Sequence, residues 1–241
     1  MAVGLGTMLN IAFPTNFDSP YKSASPIEFW RRWHITLGAW IRDYLYIPLG
    51  GNRHGQARKM LNLFICMTLC GFWHGAGFTF LIWGMLHGAL LVINHSWRAF
   101  AKLRGIMFPK VLGVVLTFLC IMVGWIMFRA DTISDGIQIV RALFDVRHIA
   151  VFSKTSFFAN IPFLQHWDAI TLTVDTFRAF SIVKACALLF ALTLVVFFAP
   201  NAVQTASRFK ANARWLSLTV IITTVCFLFF SRNSIFLYFN F

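Results

Sequence analysis

Three histidines are the residues whose type and surroundings suit acid–base chemistry. His74 lies in the stretch Gly71–Gly77, GFWHGAG, among two aromatics and three glycines. His34 lies in FWRRWHITLGAW, and His87 precedes Gly88 in WGMLHG. Imidazole titrates near neutrality, so a histidine kept neutral and away from water is a natural general base. A single buried histidine reads first as a core side chain satisfied by a backbone or hydroxyl partner. Three of them in apolar, aromatic surroundings point to a site, because ionisable groups at membrane depth are usually functional. The glycines around His74 permit close backbone approach or a break in a helix. Cys66 and Cys70 stand at i,i+4, a spacing open to a metal or redox pair, but no further Cys or His lies at ligand spacing beside them. The five cysteines, Cys66, Cys70, Cys120, Cys186 and Cys226, all fall in apolar runs and read as small core residues. They imply neither a metal site nor a disulfide framework.

These histidines must be carried by membrane helices. The 241 residues are 59% hydrophobic and 12% charged, fewer charges than a soluble surface needs. Residues 60–97 contain no Asp, Glu, Lys or Arg, room for two crossings of roughly 20 residues each. Residues 111–128, 179–199 and 215–231 are of the same character, with Lys184 near the start of its run where it can snorkel. The fold class predicted is therefore all-α, a polytopic transmembrane protein and a single membrane domain over 1–241. Residues 1–25 form a partial helix and loop, and 60–95 a histidine-bearing hairpin. No cleavable signal peptide and no internal repeat are evident.

A net charge of +13 would suggest nucleic acid in a soluble chain, but here the basic residues sit in the connections and report orientation instead. Residues 31–59 hold six Lys or Arg against Asp43, and 98–110 hold four against none, which predicts residues 52–59 and 98–110 as cytoplasmic. Residues 129–178 balance five against five and are predicted to be extracytoplasmic. Nucleic acid is not an expected partner.

Before the hairpin, Ser25-Pro26-Ile27-Glu28 has the form of a capping box with Pro at the first helical position. It predicts one helix over 26–48, ended by Pro48 and the Gly50-Gly51 pair. At 100° per residue Trp30, Trp33, His34, Leu37, Trp40, Ile41, Tyr44 and Leu45 share one face, opposite Arg31, Arg32, Ala39, Arg42 and Asp43. Such a helix suits the membrane interface or a re-entrant position.

FWRRWHITLGAWIRDYLYIPLGGNR followed by NLFICMTLCGFWHGAGFTFLIWGMLHG resembles the signature region of the membrane-bound O-acyltransferase family, most closely its alginate O-acetyltransferase branch. MAVGLGTMLNIAFPTNFDSPY, GWIMFRADTISDGIQIVRALF and the closing FLYFNF extend the likeness over most of the chain, apart from a stretch around 148–175. The resemblance implies transfer of an acyl group from a thioester donor, acetyl-CoA or another acyl thioester used as co-substrate with no bound cofactor, to a hydroxyl. It implies His74 as the essential general base and His34 as the residue that orients the acyl group or polarises its carbonyl. Trp73, Arg42, Asp43, Tyr44 and His87 are the candidates for substrate contact. For Arg42, Asp43 and Tyr44 the alternatives are a structural ion pair with an interface anchor, or the lining of a cytoplasmic donor entrance.

The partners implied are membrane lipid, the acyl donor, an exported polysaccharide such as alginate and a separate extracytoplasmic acetyltransferase, in a multi-pass protein of the bacterial inner membrane. Another acceptor, teichoic acid among them, stays open. Family members are roughly twice as long, so the resemblance implies that this chain is their C-terminal half and lacks part of the tunnel wall. The rival class is a non-enzymatic polytopic protein, a transporter or export-complex partner. A transporter's proton relay would pair such histidines with intramembrane carboxylates, and the apolar runs contain none.

Overall fold

A computed structural model of the chain describes residues 4, 6, 9–144, 174–210 and 212–230. Among the described residues the regular elements are all helical, and they form two compact units, Ser19–Ala199 and Met1–Asp18 with Pro200–Phe241.

The larger unit opens with a 3₁₀ turn, Pro20–Lys22, whose Lys22 Nζ donates to the Ala199 carbonyl at 2.6 Å. Helix α1 (Pro26–Arg32) starts where the capping pattern predicts. Ser25 Oγ accepts the Glu28 amide at 3.2 Å, and the Glu28 carboxylate accepts the amide of Ala24 at 2.9 Å. The predicted single helix over 26–48 is not what forms. The chain breaks at Trp33 and His34, resumes as α2 (Ile35–Ile41), and widens into one π turn over Arg42–Tyr46. Trp33 is extended (φ −102°, ψ 125°) and His34 is left-handed (φ 46°, ψ 55°). Packing supplies the reason: α1 buries Ile27 and Phe29, and the break lets Trp33 stack on Phe29 at 5.6 Å while Leu37 and Ile41 of α2 reach the core cluster of Cys70, Trp83 and Met127.

The hairpin follows as α3 (Gly55–His74) and α4 (Phe78–Arg104), the most extensive helix pair in the unit. Its seam is backbone against backbone. A Cβ added at Gly71 would stand 2.4 Å from the Phe80 carbonyl oxygen, and one at Gly84 2.5 Å from that of Met67, so only glycines let the helices come this close. Helix α5 (Lys110–Arg129) packs on α4, and α6 (Ile133–Phe144) folds back against α5. Of the described helices, α4 and α5 are long and apolar enough to cross a membrane. Helix α7 (Val174–Phe198) completes the unit, with Phe197 edge-on to Phe118 at 5.3 Å.

The smaller unit contains α8 (Ala202–Ser207) and α9 (Ala213–Phe230). Asn201 caps α8 reciprocally with Gln204, and its Nδ2 donates to Asp18 Oδ1 at 2.8 Å. The predicted extracytoplasmic segment falls mostly on residues 145–173, and FLYFNF on 236–241, both outside the described residues.

Candidate active site

His74 is the last residue of α3, where the backbone turns through Gly75, Ala76 and Gly77 into α4. Its imidazole meets the edges of three rings: Trp73 at 5.0 Å, Trp83 at 5.3 Å and Phe128 at 5.2 Å between centroids. Trp83 and Phe128 themselves pack at 5.2 Å, so rings from α4 and α5 wall one side of the histidine. The other side is open. His74 is half-buried and the neighbouring Trp73 is 65% exposed. A half-open imidazole against aromatic edges can hold a reacting hydroxyl close while water is partly excluded.

His34 reaches the same neighbourhood from the break between α1 and α2. It lies near enough to His74 for a charge on His34 to act on that ring. Burial holds the His34 imidazole below its ordinary pKa, which favours its neutral form. A neutral imidazole can polarise a carbonyl without repelling a second histidine. Its left-handed backbone costs about 1–2 kcal/mol for a residue with a Cβ. The neighbouring packing of Phe29, Trp33, Leu37 and Ile41 sustains that strain.

Arg42 and Asp43 face each other on the exposed π turn: Arg42 Nε donates to Asp43 Oδ1 at 2.7 Å and Nη2 to Oδ2 at 3.0 Å. This fork holds the Asp43 carboxyl below the usual carboxylate range and raises Arg42. Tyr44 is exposed and stacks on Trp40 at 5.5 Å. An open cleft of about 310 Å³ lies beside them, lined by Arg42, Tyr46, Gly51, Asn52 and Arg53 among others. Its floor is fixed by Asn62, a fully buried side chain in α3 whose Nδ2 donates to the carbonyls of Leu49 (3.1 Å) and Gly51 (3.2 Å).

The structure thus gathers His34, His74 and Trp73 and sets Arg42, Asp43 and Tyr44 on the π turn. His87 is placed differently. It has no exposed surface, and its contacts are Trp30, Phe29 and Trp83. Sequence reading passed over Trp83, Phe128 and Asn62. Trp83 and Phe128 give no signal apart from being aromatic in apolar runs. Asn62, an uncharged polar residue opening a run of apolar ones, is a cue in hindsight. Among the described residues no group of His, Cys, Asp and Glu forms a metal site.

Comparison with known proteins gives the chain's family. The chain is 34% identical over 248 residues to the peptidoglycan O-acetyltransferase of Helicobacter pylori, an alignment covering 100% of this chain and 45% of the relative. It is 46% identical over 147 residues to the "Probable alginate O-acetylase AlgI" of Pseudomonas aeruginosa, covering 60% of this chain and 27% of the relative. A teichoic acid D-alanyltransferase of Streptococcus thermophilus matches at 32% identity over 147 residues, with 53% and 35% covered. The chain spans less than half the length of these curated relatives. The profile of the MBOAT, membrane-bound O-acyltransferase, family matches residues 1–134, which include both His34 and His74, and the chain belongs to that family of membrane proteins.

Proposed function

We propose that this protein carries an acyl group, acetyl in the first instance, from a cytoplasmic thioester such as acetyl-CoA to hydroxyls of an exported polysaccharide. It works as a single multi-pass domain of the bacterial inner membrane, with residues 52–59 and 98–110 on the cytoplasmic side and 129–178 outside. His74 takes the proton of the acceptor hydroxyl as that oxygen attacks the acyl carbonyl. The new C–O bond forms, the C–S bond breaks, and the departing thiolate recovers the proton. His34, neutral, polarises the carbonyl, and Trp73 borders the open side of the site. The cleft beside Arg42 and Arg53 suits the donor's entry, since guanidinium groups match an anionic donor. A separate extracytoplasmic acetyltransferase completes delivery to the polymer. The single observation that carries the reading is the His74 imidazole, walled by Trp83 and Phe128 yet open on its other face.

Two acceptors divide the support. The alginate relatives have the higher identity, whereas the peptidoglycan relative aligns over the whole chain. His74→Ala in the full protein is expected to lower acetyl transfer by about 10²–10⁴ with its membrane level unchanged. Acetyl content measured separately on exported polysaccharide and on peptidoglycan reads both the site and the acceptor. Wild-type acetylation of both polymers in the variant would overturn the assignment.

A further inference from the structure

We propose that His87 is a positioning residue of this site, tying α1 to α4 and setting Trp83 against His74; the inference rests on the acyl-transfer reading above. His87 has no surface exposed to solvent, and its Nδ1 accepts the indole N–H of Trp30 at 3.3 Å across 57 positions of sequence. A nitrogen that accepts a hydrogen bond is unprotonated, so the neutral ring carries its proton on Nε2. That atom is buried without a partner and faces α5, where a Cβ on Gly124 would stand 2.7 Å away. Trp30 therefore dictates the tautomer, and Gly124 leaves the space the ring occupies.

The rings around His87 fix its orientation as well. Phe29 lies nearly parallel to it at 6.5 Å and 18°, Trp30 meets it edge-on at 5.2 Å and 88°, and Trp83 packs at 4.7 Å. Trp83 is also the ring that touches His74 edge-on at 5.3 Å. One imidazole thus joins the helix that ends just before His34 to the indole that walls His74. Being buried and oriented by Trp30, it acts on the chemistry through these neighbours. A phenyl ring at position 87 would fill the volume but strand the Trp30 donor in an apolar interior, and the indole would leave its seat to find a partner.

The test uses membranes holding the full protein, labelled acetyl-CoA as the donor probe, and three variants: His87→Phe, Trp30→Phe and the double. His87→Phe is expected to lower kcat by about 10- to 100-fold, the scale of a small misplacement of a catalytic group. KM for acetyl-CoA should stay within about twofold, because uniform binding is untouched. The double variant leaves neither donor nor acceptor behind and should recover kcat to within about fivefold of wild type. The pH dependence of kcat should be the same in all active forms. Wild-type kcat in His87→Phe, a double variant as impaired as the two singles multiplied, or a displaced pH profile would each overturn the inference. If His87→Phe fails to accumulate, Trp30→Phe decides alone: a kcat loss of about threefold or more supports the tie, and wild-type kcat refutes it. His74→Ala in the same assay separates the two claims. Activity in that variant sinks the acyl-transfer reading, whereas an inactive His74→Ala beside a fully active His87→Phe sinks only the role of His87.

Discussion

His74 ends a regular 20-residue helix that touches its partner backbone to backbone, whereas His34 stands where the chain leaves helical geometry between two seven-residue pieces. One imidazole is placed by close packing, the other by a torsion angle. The difference sets what each region tolerates. A seam with no room for a methyl group rejects any added atom, and its geometry survives changes elsewhere. A left-handed residue can be replaced by anything that accepts that conformation, and what is lost is the side chain's chemistry.

The sharpest break in this contrast is Gly71→Val. Its Cβ would sit 2.4 Å from the Phe80 carbonyl, so the helices must part. We expect a loss of stability of about 3 kcal/mol and of nearly all activity, read from the thermal midpoint in detergent and from acetyl transfer. Gly77→Ala, whose Cβ would meet the Phe80 ring at 3.4 Å, is the control and should change little. A normal midpoint for Gly71→Val would mean that packing does not place His74.

His34→Gly tests the other half. Glycine is at ease at φ 46°, so the variant should gain about 1 kcal/mol of stability while losing about 10²-fold in acetyl transfer. Parallel falls in both would show that the break is held by His34's own contacts rather than by its neighbours.

Asn62→Ala probes the connection between the two regions. It removes the donor from the carbonyls of Leu49 and Gly51, for an expected cost of about 1–2 kcal/mol in thermal unfolding. An unchanged midpoint would mean that water replaces the amide.

Asp43→Asn should have the smallest effect, because Asp43 and Arg42 are both exposed. The folded-state pKa of Asp43 is depressed, so the pair's contribution is present above the ordinary carboxylate range and fades as pH falls through the folded pKa. The midpoint of the variant should match wild type at neutral pH and show a flatter acid limb below about pH 4. A large loss at pH 7 would promote the pair from a surface contact to part of the site.

Much of this was legible in the chain. The charge-free stretch suggested a hairpin over 60–95 around Gly75 and Gly77, and the helices there are Gly55–His74, ending on His74, and Phe78–Arg104. Ser25 and Glu28 announced the start of α1. The break at His34 was not legible, because WRRWHITL contains neither Gly nor Pro and its apolar period continues across the gap. The break exists because Phe29 and Trp33 on one side and Leu37 and Ile41 on the other pack better apart, which depends on α4 and α5. The bond from Trp30 to His87 was hidden for the same reason, since 57 positions separate the partners. Local pattern reports on what a segment does alone, and these features arise only between segments.

The glycine seam between α3 and α4 also bears on the entropy of assembly. When two helices already formed come together, freezing side-chain rotamers opposes them, by about 0.5–1 kcal/mol for each leucine or isoleucine immobilised. Gly71 and Gly84 have no rotamers to freeze, and the backbone cost of glycine was met when each helix formed. The link between the helices is three residues, Gly75 to Gly77, so little freedom is lost in closing it. The hairpin can therefore close early and with little penalty. His74 would then be in place before the more distant helices arrive to build the remainder of the site around it.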